Sequence, residues 1–282
     1  MNDIQIAISV MIALCSLIGW LTARYLYSPR GQSTMLGLAL SVLAMFYFLY
    51  YGNGQLLWAR FVPSSAAIIY TNLASLFAAA GAGWAWRLPN TPNWRRSGLC
   101  LLMISASLVS IFWPLLSIAL RPPPAGGDDW QHGVAMQTSW ATCSPAAAAT
   151  LFGAEDIEVS ERELIPLCLT DNSGTPTLGL YRGLKLVAQR HERPVEIVDT
   201  SLEQLIEDDD WPVLIAVELP YGVEDRRYVE QWGWIPGLGH SVVVFDRTAD
   251  DQYAIGDPSV GFELWSRADM ELLWHGNGIR IK

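Results

Sequence analysis

Gln137-Thr138-Ser139-Trp140-Ala141-Thr142-Cys143-Ser144-Pro145-Ala146-Ala147-Ala148-Ala149-Thr150-Leu151-Phe152-Gly153 is the stretch on which the reading of this chain turns. Proline at a first-turn position, a run of four alanines behind it and a glycine to stop it predict a helix. Cys143 then sits at the helix N-terminus, where the positive end of the helix dipole favours thiolate at neutral pH. The alanines let such a helix lie close against a sheet and hold the sulfur in place. Gln137, six residues upstream, carries an amide that can donate to a developing oxyanion beside the backbone N–H of the cysteine itself. Taken alone, Gln137 also reads as an ordinary solvated loop residue. Trp140, between the two, is a candidate substrate contact.

A reactive thiol needs a base, and the chain has four histidines. His132 lies near a linker, His191 in the polar run Arg190-His191-Glu192-Arg193, and His275 in a turn after Trp274. His240 differs, because Gly237-Leu238-Gly239-His240-Ser241-Val242-Val243-Val244-Phe245 places it at the first position of an apolar strand. The two glycines before it leave one face of the ring approachable. Seventeen residues on, Ile255-Gly256-Asp257-Pro258 ends another strand. In a hairpin of the two strands Asp257 lies beside His240 and can hold its tautomer. Asp-Pro is equally a common turn former. Trp232 and Trp234, in Gln231-Trp232-Gly233-Trp234-Ile235-Pro236-Gly237, are expected either to rim a substrate groove or to rest on a membrane or partner.

The order Gln137, Cys143, His240, Asp257 resembles that of the papain-like cysteine peptidases, and more closely that of their bacteriocin-processing branch, the double-glycine leader peptidases. The similarity runs from about Gln137 to Trp274-His275-Gly276, half the chain. It implies Cys143 as nucleophile, His240 as general base, Asp257 as its orienter and Gln137 as oxyanion donor, with no cofactor and no metal. The sequence departs from the family pattern at Ser144, where glycine is common, and its 282 residues include no transporter ATPase stretch. Gly126-Gly127 has the look of the family's scissile pair, although glycine pairs are common in linkers.

Around these residues the pattern is helices first and strands second, an α+β arrangement. Helical spacing covers Ser160–Cys168, Thr175–His191 and Ser201–Glu207, and Ser266 opens a last helix through Trp274. Strands are expected at Val213–Leu219, Ser241–Asp246, Gln252–Ile255, Phe262–Trp265 and Gly278–Ile281. Cys168 falls on the buried face of its helix with Leu164 and Leu167. That placement argues against a disulfide with Cys143, the ordinary expectation for a cysteine pair in a secreted domain.

Charge separates this half from the first. Up to Arg121 there are seven arginines, no lysine and one acid, Asp3, a net +6; from Pro122 onward 11 basic residues face 27 acidic ones, a net −16. A one-domain soluble enzyme is excluded, and so is a nucleic-acid binder, since the acidic half repels phosphate. Four uncharged stretches, Ile4–Ala23, Met35–Tyr51, Phe61–Trp86 and Ser97–Leu120, approach or exceed the roughly 20 residues a bilayer requires. Arg24, Arg30, Arg87, Arg95 and Arg96 occupy the first and third connections and mark that side as cytoplasmic. The acidic half is therefore expected outside the cytoplasm. With no acid, lysine or histidine inside the spans, the bundle reads as an anchor in the lipid bilayer and not as an ion path. The expected organisation is an α-helical four-span membrane bundle over residues 1–121, a Pro/Gly linker over 122–130, and an α+β papain-like cysteine peptidase domain over 131–282. The function expected is hydrolysis of a peptide or protein substrate. The alternative is a catalytically silent domain of the same fold serving as a binding or assembly module in a membrane complex.

Overall fold

A computed structural model of the chain describes residues 2–28 and 31–282; Arg30, used above for orientation, lies outside them. The residues group into two compact units, one made of those before Ala59 together with Ala66–Leu116, the other of Ala59–Ser65 with Ser117–Lys282.

The first unit is helical: α1 (Asn2–Tyr25), α2 (Gln32–Tyr47, continued by a π turn over Phe48–Gly52), then, past a short α3 (Trp58–Phe61), α4 (Ala67–Tyr70), α5 (Leu73–Trp86) and α6 (Asn93–Leu120). Asn2–Tyr25, Gln32–Gly52, Ala67–Trp86 and Asn93–Leu120 are long and apolar enough to cross a membrane. The third is not the continuous span expected from Phe61. It starts at Ala67, after Pro63, and is interrupted at Thr71-Asn72. Asn72 turns its amide to α6 instead, donating from Nδ2 to the Ser110 carbonyl (2.8 Å) and accepting from Ser110 Oγ (2.9 Å). Ser107 Oγ donates to the Ser75 carbonyl (2.9 Å). Between apolar helices such polar contacts and small residues supply the adhesion that a hydrophobic effect cannot. At Gly83 a Cβ would stand 1.8 Å from Thr22 Oγ1 and 2.4 Å from the Gly19 carbonyl, so α5 reaches α1 only as glycine.

In the second unit a two-stranded ribbon, β1 (Trp130–Gln131) and β2 (Val134–Ala135), leads into α7 (Cys143–Ala154), α8 (Glu161–Leu167) and α9 (Thr177–Arg190). Then follow β3 (Val195–Asp199), α10 (Leu202–Asp208), β4 (Val213–Glu218), α11 (Arg227–Glu230), β5 (Gly239–Arg247), β6 (Tyr253–Asp257), β7 (Gly261–Trp265), α12 (Arg267–Leu273) and β8 (Trp274–Ile281). Six of the strands form one antiparallel sheet in the order β3-β8-β4-β5-β6-β7. Ala146–Ala149 of α7 are wholly buried, and the helix packs on β5. The opposite face of the sheet buries Val213, Ile215, Val217, Val242, Val244 and Ile255 against Leu205, Met270, Leu273 and a tryptophan cluster. β6 is buried along its whole length, while β4 is exposed at Ala216 and Glu218 towards its end.

The expected helices and strands fall within a few residues of those observed. His275 lies in β8 and not in a turn, because β8 begins four residues before the expected Gly278. The edge strand β3 and the short α11 were not anticipated.

The glycine pair expected as a scissile motif is fastened to α8. Gly127 N–H donates to Glu161 Oε2 (2.6 Å), its carbonyl accepts from Arg162 N–H (3.3 Å), and the Arg162 guanidinium reaches the Gly126 carbonyl (3.4 Å). A peptide bond whose polar groups are so occupied is not presented as an extended substrate.

All four cysteines are free thiols, so Cys143 and Cys168 are unpaired, as expected. Cys168 is enclosed by α9, where Cβ atoms on Gly179 and Gly183 would each fall 2.2 Å from it, at its carbonyl oxygen and its sulfur. Burial pushes its thiol up to about 12 and leaves it inert. Gly183→Ala is therefore expected to destabilise the second unit by about 1–3 kcal/mol, and Cys168→Ala by about 1–2 kcal/mol. The double substitution should cost less than the two together, because removing the sulfur makes room for the new methyl. Urea titration read by pulse proteolysis checks this; strict additivity would refute the packing account.

Candidate active site

Cys143 is the first residue of α7, with Thr142 at the N-cap. Thr142 is held by Ser139, whose carbonyl accepts from the Thr142 hydroxyl (2.9 Å). Ser144, next along the helix, shares a 2.9 Å hydrogen bond with Ser241 on β5. This link ties the nucleophile's helix to the strand carrying His240, and Ser144 Oγ stands 3.9 Å from Cys143 Sγ. The serine that departs from the family pattern is thus a brace between the two elements that must be aligned.

β5 and β6 are antiparallel, with Val243 opposite Gly256, which brings the end of β6 beside the start of β5. Asp257 Oδ1 lies 2.7 Å from His240 Nε2. The carboxylate is fully buried and its capacity is filled: Ser259 donates from both N–H and Oγ to Oδ1 (2.7 Å each), and Trp234 Nε1 donates to Oδ2 (2.9 Å). With Nε2 committed to Asp257, Nδ1 is the ring nitrogen left over, and the Cys143 thiol and the His240 ring are close enough to perturb each other's ionisation. Cys143, His240 and Asp257 are therefore brought together in the order the sequence suggested.

Trp232 and Trp234 are not an exposed rim. They are 8% and 6% exposed, in the core between α11 and the sheet. Trp232 stacks on Trp265 (5.3 Å between centroids, 12° between planes), and Trp234 lies tilted on the His240 ring (4.8 Å). Two large apolar rings beside a buried carboxylate gain more from the core than from solvent. Trp234 thus orients Asp257 and His240 together. A clue in the sequence was the pair of tryptophans directly preceding the glycines before His240. The exposed large apolar side chains of this connection are Tyr221, Val229, Ile235 and Leu238, and Trp140 is 53% exposed beside the start of α7.

Gln137 is anchored by its backbone N–H, which donates to the Pro258 carbonyl (2.9 Å), directly after Asp257. Its side-chain oxygen is buried without a hydrogen-bond partner. The unused capacity is that of an acceptor, whereas an oxyanion would need the amide N–H groups. Among the described residues no group of three or more His, Cys, Asp or Glu side chains is placed to hold a metal ion.

The electrostatics follow from these contacts. For His240, burial disfavours the charged ring, yet the Asp257 carboxylate and the Cys143 sulfur overcome it and raise the pKa to about 10. For Cys143, burial opposes ionisation, and the His240 hydrogen bond and charge, helped by Ser144 and the Ser241 backbone, bring the thiol below its usual range. Asp257 likewise stays below the usual carboxylate range despite burial, through His240 and Ser259. The arrangement favours a thiolate–imidazolium pair, the reactive form of a cysteine nucleophile.

No protein-family model matches the sequence, and no curated protein is similar to it. Solved structures are. The peptidase domain of Streptococcus ComA, a bi-functional ABC transporter involved in a quorum sensing pathway, is 21% identical over 54% of this chain and 98% of its own (TM-score 0.42). The peptidase domain of Streptococcus mutans ComA is 21% identical over 54% of this chain and 99% of its own (TM-score 0.38). A double glycine motif protease from an AMS/PCAT transporter, in complex with the leader peptide, is 16% identical over 57% of this chain and 97% of its own (TM-score 0.42).

His240 binds its proton more tightly in the folded protein than at its ordinary value of 6.5. The resulting stabilisation is complete below 6.5 and is lost as pH rises through about 10. Asp257 contributes above the usual carboxylate range and loses its contribution on acidification. In a Cys143→Ala background, where no thiolate contributes, Asp257→Asn should cost about 3–5 kcal/mol near pH 6 and distinctly less at pH 10. A pH-independent cost in urea unfolding would show that the pair is not charged.

Proposed function

We propose that this chain is a membrane-anchored cysteine peptidase that hydrolyses a peptide or protein substrate outside the cytoplasm. One observation carries the reading: a helix-terminal thiol beside a mostly enclosed imidazole, which is hydrogen-bonded in turn to a fully buried carboxylate. In this mechanism the Cys143 thiolate attacks the scissile carbonyl carbon. The oxyanion is taken up by the Cys143 backbone N–H and the Gln137 amide. The His240 imidazolium gives its proton to the leaving amine as the C–N bond breaks, which leaves a thioester on Cys143. His240, now neutral, takes a proton from water, whose oxygen attacks the thioester and releases the acid. Asp257 holds the ring in the tautomer that both steps need, and Trp234 and Ser259 hold Asp257.

The silent-module reading draws on a different observation, the low exposure of Cys143 (9%). Reactivity separates the two. Iodoacetamide or an E-64-type probe should label Cys143 in the folded, reduced chain, and Cys143→Ala should abolish that label without unfolding. Gln137→Ala should keep the label but lower peptide hydrolysis by about 10²–10³-fold, because the amide acts on the oxyanion and not on the thiol. Absence of labelling at Cys143 would sink the peptidase reading and leave the binding module.

The side of the membrane follows from the arginines. Arg87 Nε donates to the Ala23 carbonyl (2.6 Å) and Trp84 Nε1 to that of Leu26 (3.0 Å), so the C-terminal ends of α1 and α5 meet, with Arg24 and Arg87 at the same pole. An arginine-rich pole favours the cytoplasm. Single cysteines placed at Arg95 and Asp171 should be labelled by an impermeant maleimide from opposite sides of the membrane, Asp171 from outside. Labelling of Asp171 from the cytoplasmic side would reverse the localisation.

A further inference from the structure

The same arginine pole contains a polar cavity of about 460 Å³, lined among others by Tyr27, Trp86, Arg87, Asn93, Arg96 and Ser97. Its walls come from the chain after α1, the end of α5 and the first turns of α6, all within the helical unit. Three features set it apart from an arginine-flanked membrane surface. First, its charge is unbalanced: two guanidinium groups line it, and the one acid in the first 121 residues is Asp3, in the opening turn of α1, whose far end supplies Tyr27. Second, Arg96 Nε is buried and donates to no group among the described residues, so a strong donor is withdrawn from water. Third, α6, 28 residues long, opens here at Asn93 and turns the positive end of its dipole toward the space.

Arg87 is not free to swing away. Its Nε is bound to the Ala23 carbonyl, and its guanidinium lies 5.0 Å from the centre of the Tyr27 ring. Asn93 and Ser97 add neutral polar groups, and Trp86 supplies an indole of the kind that settles at headgroup depth. Converging guanidinium groups, neutral donors and a helix N-terminus are the means by which proteins hold phosphate. The cavity opens at a helix end and not at mid-span, so a ligand reaches it from the headgroup layer.

From this convergence we infer that the cavity between the ends of α1 and α5 and the start of α6 binds a phosphate-bearing anion, supplied by the headgroup of an anionic membrane lipid. The inference rests on the bundle lying in a bilayer; it does not depend on the thiol chemistry.

The test uses the full chain in a neutral maltoside detergent, titrated with phosphatidylglycerol or phosphatidylcholine and read by native mass spectrometry. Phosphatidylglycerol should be retained in preference to phosphatidylcholine. Arg96→Gln should weaken its retention about five-fold or more, whereas Arg96→Lys and the exposed neighbour Arg95→Gln should leave it within about two-fold. Displacement of the lipid by millimolar inorganic phosphate, with the same dependence on Arg96, would support the anion site and assign it to free phosphate. Equal retention of the two lipids, or equal effects of Arg96→Gln and Arg95→Gln, would overturn the inference. The far-ultraviolet circular-dichroism melting transition of the same samples reports folding independently. Should Arg96→Gln lose that as well, Ser97→Leu decides, since it fills the cavity and keeps the charge: weakened retention supports the site, and unchanged retention overturns it.

Discussion

A carboxylate with no access to water organises the second unit. Asp257 is fully buried, and an ionised group so placed is tolerated only when charge and hydrogen bonds replace its hydration. His240 supplies the charge, and Ser259 and Trp234 supply the bonds. Each partner comes from a different part of the chain: the start of β5, the turn after β6 and the loop after α11. The same atoms that neutralise Asp257 therefore fix three backbone segments relative to one another. They also leave the histidine with one uncommitted ring nitrogen beside a thiol that it perturbs. Pairing a buried charge and presenting a base to a thiol are here a single geometric arrangement.

The thiol arrives from the other side of the sheet's first layer. Alanines at 146–149 leave no side chain between α7 and β5 large enough to hold them apart. The Ser144–Ser241 hydrogen bond then sets the helix along the strand. A glycine at position 144 would leave Ser241 buried without this partner, so the serine contributes a restraint that glycine could not. A similar economy appears at Cys168, where Gly179 and Gly183 open α9 to accommodate it. Small residues do in the peptidase-like unit what Gly83 does between α1 and α5.

Much of this could be read from residue order because the signals were local. Pro145 behind Cys143, the alternation of β5 and the Asp-Pro after β6 each carry their structural meaning within a few positions. What escaped was decided at a distance. Trp232 and Trp234 have the sequence of an exposed aromatic loop, and only the proximity of Trp265 and Asp257 turns them inward. The edge strand β3 exists because β8 offers it a partner; only Val198 within it is buried, so its own pattern is weak. Gly126-Gly127 looked like a free linker because nothing nearby reveals that Glu161, more than thirty residues on, occupies its N–H. The break at Asn72 was hidden for the same reason, its partner Ser110 being one helix away. Local rules found the elements, and long-range polar partners decided which residues those elements bury.

The two units solve the burial of polar groups by opposite routes. In the helical unit the polar side chains inside are neutral, and Ser75, Ser107, Ser110 and Asn72 satisfy one another or a carbonyl. Its arginines gather at one pole, where Arg87 and Arg96 have no local acid. In the second unit charge is taken into the core and neutralised there, at Asp257 with His240 and at Asp269 with Arg227 and Tyr228. The second strategy requires acids and bases to be present together, which the sequence supplies only after Arg121. A nucleophile that depends on an internal ion pair could therefore be built in the acidic half and not among the spans. The helical unit, short of acids, leaves Arg87 and Arg96 to face either water or an anion that the unit itself does not provide.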